Sequence, residues 1–148
     1  MGDFPSPDGL AFNRALIADP AAFAQEAHAA SWLYLCGEDF AAMEGGMSFA
    51  DVQAAVGDAV NIVADPPHPF DLDVARQGIA VLDELPRPTL VTCRTGPRSS
   101  ALVYLYAGLK SAASADDVLA RAEADGAPFC KSEQLKDWVR QGLTELAS

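Results

Sequence analysis

Apolar and polar positions follow two rhythms along this chain, and the two alternate. "WLYLC" (32–36), "AVNIV" (59–63) and "TLVTC" (89–93) are short, β-capable apolar runs, closed by Gly37, by "DPPHP" and by a Gly-Pro turn. Such runs predict strands. A helical pattern lies ahead of each. "PAAFAQEAHAAS" is Ala-rich with Pro20 at a first helical position, and "SFADVQAAV" sets Ser48 and Asp51 at capping-box spacing and repeats Phe49, Val52 and Val56 at helical intervals. Asp71 then heads a segment with Val74, Gly78, Ile79 and Leu82 on one face, which "PRP" stops before the third strand.

Beyond Cys93 the rhythm stays helical. "RSSALVYLYAGL" reads as a buried helix and "SADDVLARAEADG" as a capped helix ending at Gly126. "SEQLKDWVRQGLTELA" reads as an amphipathic helix with Leu135, Trp138, Val139, Leu143 and Leu146 inward. Three helix–strand alternations followed by a helical tail predict a single-domain α/β layer structure with a short, mostly parallel sheet flanked by helices. Residues 1–20, with Pro5, Pro7, Gly9 and Pro20 around "LAFNRALI", read as an irregular N-terminal arm of little functional weight, and residues 21–148 as the catalytic domain.

Composition narrows the function. A 148-residue chain that is 50% hydrophobic supplies one core, and a net charge of −11 with a pI near 4.3 argues against nucleic acid, whose binders neutralise phosphates with Lys and Arg. No apolar run approaches the roughly 20 residues of a membrane span and no leader pattern opens the chain, so a soluble, cytoplasmic protein is expected. The three cysteines, Cys36, Cys93 and Cys130, form no C-x-x-C pair, which fits a reducing compartment. With only His28 and His68, and no ligand-spaced cluster, neither a metal nor a cofactor is expected.

The chemistry concentrates in "CRTGPRSS". A strand end that turns sharply into a helix is where an open α/β sheet holds its ligands. Backbone N–H groups of such a turn, the positive end of the next helix and the planar fork of Arg98 make a cradle for a tetrahedral anion. Arg94, Thr95 and Gly96 are the residues of that cradle expected to bind substrate. The same surroundings favour a thiolate at Cys93 and so a nucleophile. No Lys or Arg occurs between Arg14 and Arg76, yet Arg94 and Arg98 share one turn beside the thiol. The plainer alternative is a buried strand-end cysteine with solvated arginines. Cys36, within an apolar run, reads as core, and Cys130 lies near the start of the last helix beside Lys131.

"TLVTCRTGPRSSALVYLYAGL" followed by "SADDVLARAEADG" resembles the phosphatase-like domain of beta-lactamase-hydrolase-like proteins, a bacterial branch of the protein tyrosine phosphatase superfamily; the resemblance spans about residues 58–126. It implies a three-layer, dual-specificity-phosphatase-like α/β fold, with Cys93 as catalytic cysteine and Arg98 as the arginine of a phosphate-binding loop. It further implies Ser99 as the hydroxyl that steadies the leaving thiolate. The families it is similar to place an acidic residue on a loop about 30 residues before the cysteine to protonate the leaving group, which corresponds to Asp65 in "ADPPHPFD". Asp65 also fits a simple turn aspartate, Asp71 a helix cap, and His68 a loop surface residue.

The loop departs from the tyrosine-phosphatase pattern in three ways. It has one residue fewer between Cys93 and Arg98, Thr92 stands where that pattern has His, and Pro97 removes an amide donor. A six-residue loop beginning with Cys also resembles that of rhodaneses, whose cysteine carries a sulfane sulfur. Three functions are therefore expected candidates: a cysteine-dependent phosphatase acting through a phosphocysteine, a sulfurtransferase carrying a persulfide on Cys93, and a silent anion- or phosphoprotein-binding module. The phosphatase is the expected one, with an anionic small molecule or a phosphoprotein as substrate.

Overall fold

In the computed structural model, which describes residues 9–65 and 70–147, helices and strands follow the alternation written in the sequence. β1 (Leu10–Phe12) leads to α1 (Pro20–Glu26), β2 (Ser31–Tyr34), the one-turn α2 (Glu38–Ala41), α3 (Phe49–Ala55) and β3 (Asp58–Asn61). There follow α4 (Leu72–Glu84), β4 (Thr89–Thr92), α5 (Pro97–Lys110), α6 (Ala115–Ala124), a 3-10 turn (Pro128–Lys131) and α7 (Glu133–Glu145). His68 and the first eight residues lie outside the described segments.

Local sequence accounts for where the helices begin. Ser48 Oγ accepts from Asp51 N at 3.1 Å while the Asp51 carboxylate accepts from Ser48 N at 3.2 Å, the reciprocal box expected of α3. Asp71 caps α4 through Val74 N at 3.1 Å, and Ser114 and Ser132 cap α6 and α7 in the same manner. The one-turn α2 was not expected, since four residues are too few to show a helical period.

The four strands pair in parallel in the order β1-β4-β2-β3. Tyr34 lies opposite both Asn61 and Thr92, so β2 and β4 form the covered centre, and each is buried at all four positions. The expected α/β class and parallel sheet are the observed ones, with one added strand. Residues 10–12, expected within an irregular arm, form β1, which pairs Leu10 with Thr89 and Phe12 with Val91. Three residues on a sheet edge, half-buried at two of the three positions, leave no run long enough to read as a strand.

α1 and α3 cover one face of the sheet. α5 covers the other and is itself enclosed by α4, α6 and α7. This placement explains why α5 is apolar all round: Ala101 to Leu105 are all buried, touching sheet on one side and helices on the others. Each fully buried Leu there contributes on the order of 2 kcal/mol from area removed from water. The rigid helix fixes the turn at its N-terminus, which is the segment 93–97.

Candidate active site

The loops that leave the C-terminal ends of all four strands converge at one edge of the sheet. Asn13 follows β1, Gly37 follows β2, Asp65 follows β3 and Cys93 follows β4. Parallel strands put these ends side by side, which is why residues so far apart in sequence share one site.

The chain turns tightly from Cys93 into α5 through Gly96, the N-cap, whose φ of 115° is open to glycine and strained for other residues. A β-carbon there would also collide with the Asn13 carbonyl. Pro97 stands at the first helical position, where its missing N–H removes no helical bond. The turn brings the amides of Gly96 and Ser99 to 3.2 and 3.3 Å from Cys93 Sγ, and the thiol donates to Ser99 Oγ at 3.4 Å. Two N–H groups and a helix N-terminus aimed at one sulfur stabilise negative charge on it.

Asn13 holds this turn from below. Its Nδ2 donates to the Cys93 carbonyl at 2.9 Å and to the Arg94 carbonyl at 3.3 Å. Its Oδ1 accepts from Cys93 N and from Ser99 Oγ, both at 3.2 Å. Sequence reasoning missed this residue. Its only signal was a polar side chain directly after the short apolar "LAF", within a segment assigned to the arm.

A cavity of about 570 Å³ opens above the thiol, lined by Asp65, Cys93, Arg94, Thr95, Pro97 and Arg98 on the loop side. Phe70, Leu135 and Trp138 form the apolar wall opposite. Phe70 and Trp138 stack at 4.3 Å, and Trp138 Nε1 donates to the Asp71 carbonyl at 2.9 Å, which ties α7 to the start of α4. Trp138, expected as an inward core residue, is buried and also faces the cavity. Arg98 packs over the Phe70 ring at 5.2 Å and donates to the Ala64 carbonyl. Burial lowers the Arg98 pKa, and the nearby Cys93 and Asp65 act against that shift.

The structure thus brings Cys93, Arg94, Thr95, Arg98 and Asp65 to one cavity, with Gly96 and Ser99 buried beneath it. Asp65 is only 1% exposed. Its Oδ2 lies 2.9 Å from Arg94 Nε and 2.8 Å from Nη2, and its Oδ1 accepts from Gly37 N at 3.1 Å. Arg94 in turn lies over the Phe40 ring at 5.6 Å. The two arginines of the loop therefore differ: Arg94 is clamped to Asp65, and Arg98 lies along the aromatic wall.

The other thiols are elsewhere. Cys36 is buried behind the loop, and burial first, then the charge of Asp65, pushes its pKa well above the ordinary thiol range. Cys130, half-buried in the 3-10 turn, is also raised, chiefly by burial. Among the described residues no cluster of His, Cys, Asp and Glu is arranged to hold a metal, and no helix is long and apolar enough to cross a membrane.

No protein-family model matches the chain, and no curated protein matches it. Solved structures do share its fold. A candidate phosphatase from Neisseria meningitidis Z2491 superposes with a TM-score of 0.68 at 18% identity, over 94% of this chain and 97% of that one. A candidate protein tyrosine phosphatase from Leishmania major gives 0.62 at 18% identity, over 89% and 85%. A candidate phosphatase of the DUF442 group from Shewanella putrefaciens CN-32 gives 0.56 at 19% identity, over 95% and 85%. These likenesses, all below 20% identity, show a shared fold over most of the chain.

Proposed function

We propose that the chain is a cysteine-dependent hydrolase of phosphoesters that works through a phosphocysteine on Cys93. One observation carries this reading: Cys93 Sγ accepts two loop amides at the floor of a cavity walled by Arg98. A thiolate so held is a nucleophile, and the same loop, with Arg98, Arg94, Thr95 and Gly96, is a cradle for the oxygens of a phosphoryl group.

The chemistry then runs in two steps. The thiolate attacks phosphorus, an S–P bond forms, the P–O bond to the alcohol breaks, and Asp65 gives its proton to the departing oxygen. Water next attacks phosphorus, Asp65 takes its proton, the S–P bond breaks and phosphate leaves. The Ser99 hydroxyl, 3.4 Å from the sulfur, turns its hydrogen from Asn13 Oδ1 to the thiolate and steadies it as it is expelled. For Asp65 to act as the acid, the incoming phosphoester monoanion draws Arg94 away from it, since a phosphate competes for the same guanidinium, and passes its own proton to the freed carboxylate.

A sulfurtransferase is the second reading, favoured by the four-residue spacing from Cys93 to Arg98 and by the commitment of Asp65 to Arg94. Forming a persulfide from thiosulfate releases sulfite, which needs no acid. Assays of 4-nitrophenyl phosphate, an alkyl phosphate and thiosulfate on the wild type, Cys93→Ser and Asp65→Asn separate the two. The expected result is phosphate release that Cys93→Ser abolishes and Asp65→Asn slows by about 10²–10⁴-fold, more for the alkyl ester. A persulfide on Cys93 with no phosphate release would overturn the phosphatase reading.

A further inference from the structure

We propose that a second anion subsite, built from Lys131 and Arg14, adjoins the cavity over Cys93, so that the substrate is a small molecule carrying two phosphate or carboxylate groups. This rests on the phosphoesterase reading above. The cations of this acidic chain are unevenly used. Arg76, Lys110, Arg121, Lys136 and Arg140 each pair with a carboxylate on the helical surface, and Arg94 pairs with Asp65. Lys131 is exposed, and among the described residues no carboxylate pairs with it.

Arg14 is the second cation there. It donates to the Gly126 carbonyl at 2.7 Å and to the Asp125 carbonyl at 3.2 Å, and packs over the Phe12 ring at 5.0 Å. Those contacts fix its direction, and among the described residues no carboxylate lies at ion-pair distance from it, although its charge also acts on the Asp125 carboxylate. The carboxylate of Asp125 is engaged by Arg121 Nε at 3.2 Å and by the Tyr104 hydroxyl at 2.6 Å. Arg14 and Lys131 both line a depression of about 400 Å³.

That depression borders the main cavity, because Pro97 and Ser132 line both. Its far wall is fixed to the phosphate-loop candidate, because Phe129 N donates to Ser100 Oγ at 3.2 Å. Arg14 is equally fixed, as the residue after Asn13. A ligand anchored by one anion over Cys93 can therefore cross Pro97 and meet Lys131 with another. The net charge of −11 favours a small bis-anion over an acidic phosphoprotein, since a compact ligand touches the basic strip and little of the surrounding negative surface.

Calorimetric titration of Cys93→Ser protein with inorganic phosphate, alkanediol monophosphates and the matching bisphosphates of graded length tests this. At the best length the bisphosphate should bind about tenfold tighter than its monophosphate, as expected for one added charge-assisted contact. Lys131→Gln in the same background should remove most of that gain while affinity for inorganic phosphate changes less than about twofold. Equal binding of mono- and bisphosphates at every length, with inorganic phosphate still bound, would overturn the subsite alone. So would a gain that survives both Lys131→Gln and Arg14→Gln. If inorganic phosphate does not bind at all, the phosphoesterase reading fails and takes this one with it.

Discussion

Asn13 and Cys93, eighty positions apart, exchange hydrogen bonds through both ends of one side-chain amide: Nδ2 to the Cys93 carbonyl at 2.9 Å and Cys93 N to Oδ1 at 3.2 Å. This reciprocal pair fixes the strand end of β4 to the strand end of β1, and the same Oδ1 accepts from Ser99 Oγ. The loop conformation around the thiol is thus set by a residue outside the loop.

Asn13→Asp keeps the shape and removes the two donors, leaving the carbonyls of Cys93 and Arg94 without them and setting a carboxylate near the thiol. Unpaired buried groups cost about 1–3 kcal/mol, and denaturation should register a loss of that order. Iodoacetamide labelling of Cys93 should also slow by about tenfold or more, an effect that loss of stability alone does not produce below the unfolding transition. An unchanged labelling rate would remove Asn13 from the positioning role.

At pH 6 to 7 Cys93 should alkylate before the other two thiols. Burial and Asp65 raise the Cys36 pKa, burial raises that of Cys130, and only Cys93 takes loop amides on its sulfur. Mass mapping after brief exposure reads the order directly. Cys130 labelling first, despite its raised pKa, would count against an activated Cys93.

Arg98→Lys should weaken binding of sulfate or vanadate by about tenfold or more, because an ammonium lacks the planar fork and fits the Phe70 ring face less well. Equilibrium titration of the two proteins is the measurement. Equal affinities would take Arg98 out of the anion cradle.

Arg94→Ala should destabilise the fold by about 3 kcal/mol, since it removes the arginine that pairs with the buried Asp65 carboxylate. The double variant Arg94→Ala, Asp65→Asn should recover much of that loss. A coupling near zero in the thermodynamic cycle would mean the ion pair contributes nothing to the loop's support.

Acid should weaken the protein partly through Asp125, whose carboxyl is held below the usual range by the Tyr104 hydroxyl first and Arg121 second. A depressed folded-state pKa means that this contribution is complete above the unfolded value of about 3.9 and is lost as pH falls through the folded value. Asp125→Asn should therefore be less stable than wild type at pH 7, with the difference closing as the medium becomes strongly acidic. Urea titrations across that range test the sign.

What the sequence determined by itself is what local rhythm can carry. Helix starts at Ser48, Asp71, Ser114 and Ser132 were readable because a cap is a contact within three residues, and the buried strands were readable because a central parallel strand must be apolar on both faces. The turn in "CRTGPRSS" was readable because strand, glycine turn and helix are consecutive. Tertiary structure decided the rest. It made an edge strand of residues 10–12, whose pairing partner lies far along the chain, and put Asn13 beneath the thiol. It joined Arg94 to Asp65 and set Trp138 and Phe70 across the cavity. These relationships depend on which strands are neighbours, and nothing in the spacing of residues along one segment records the order β1-β4-β2-β3.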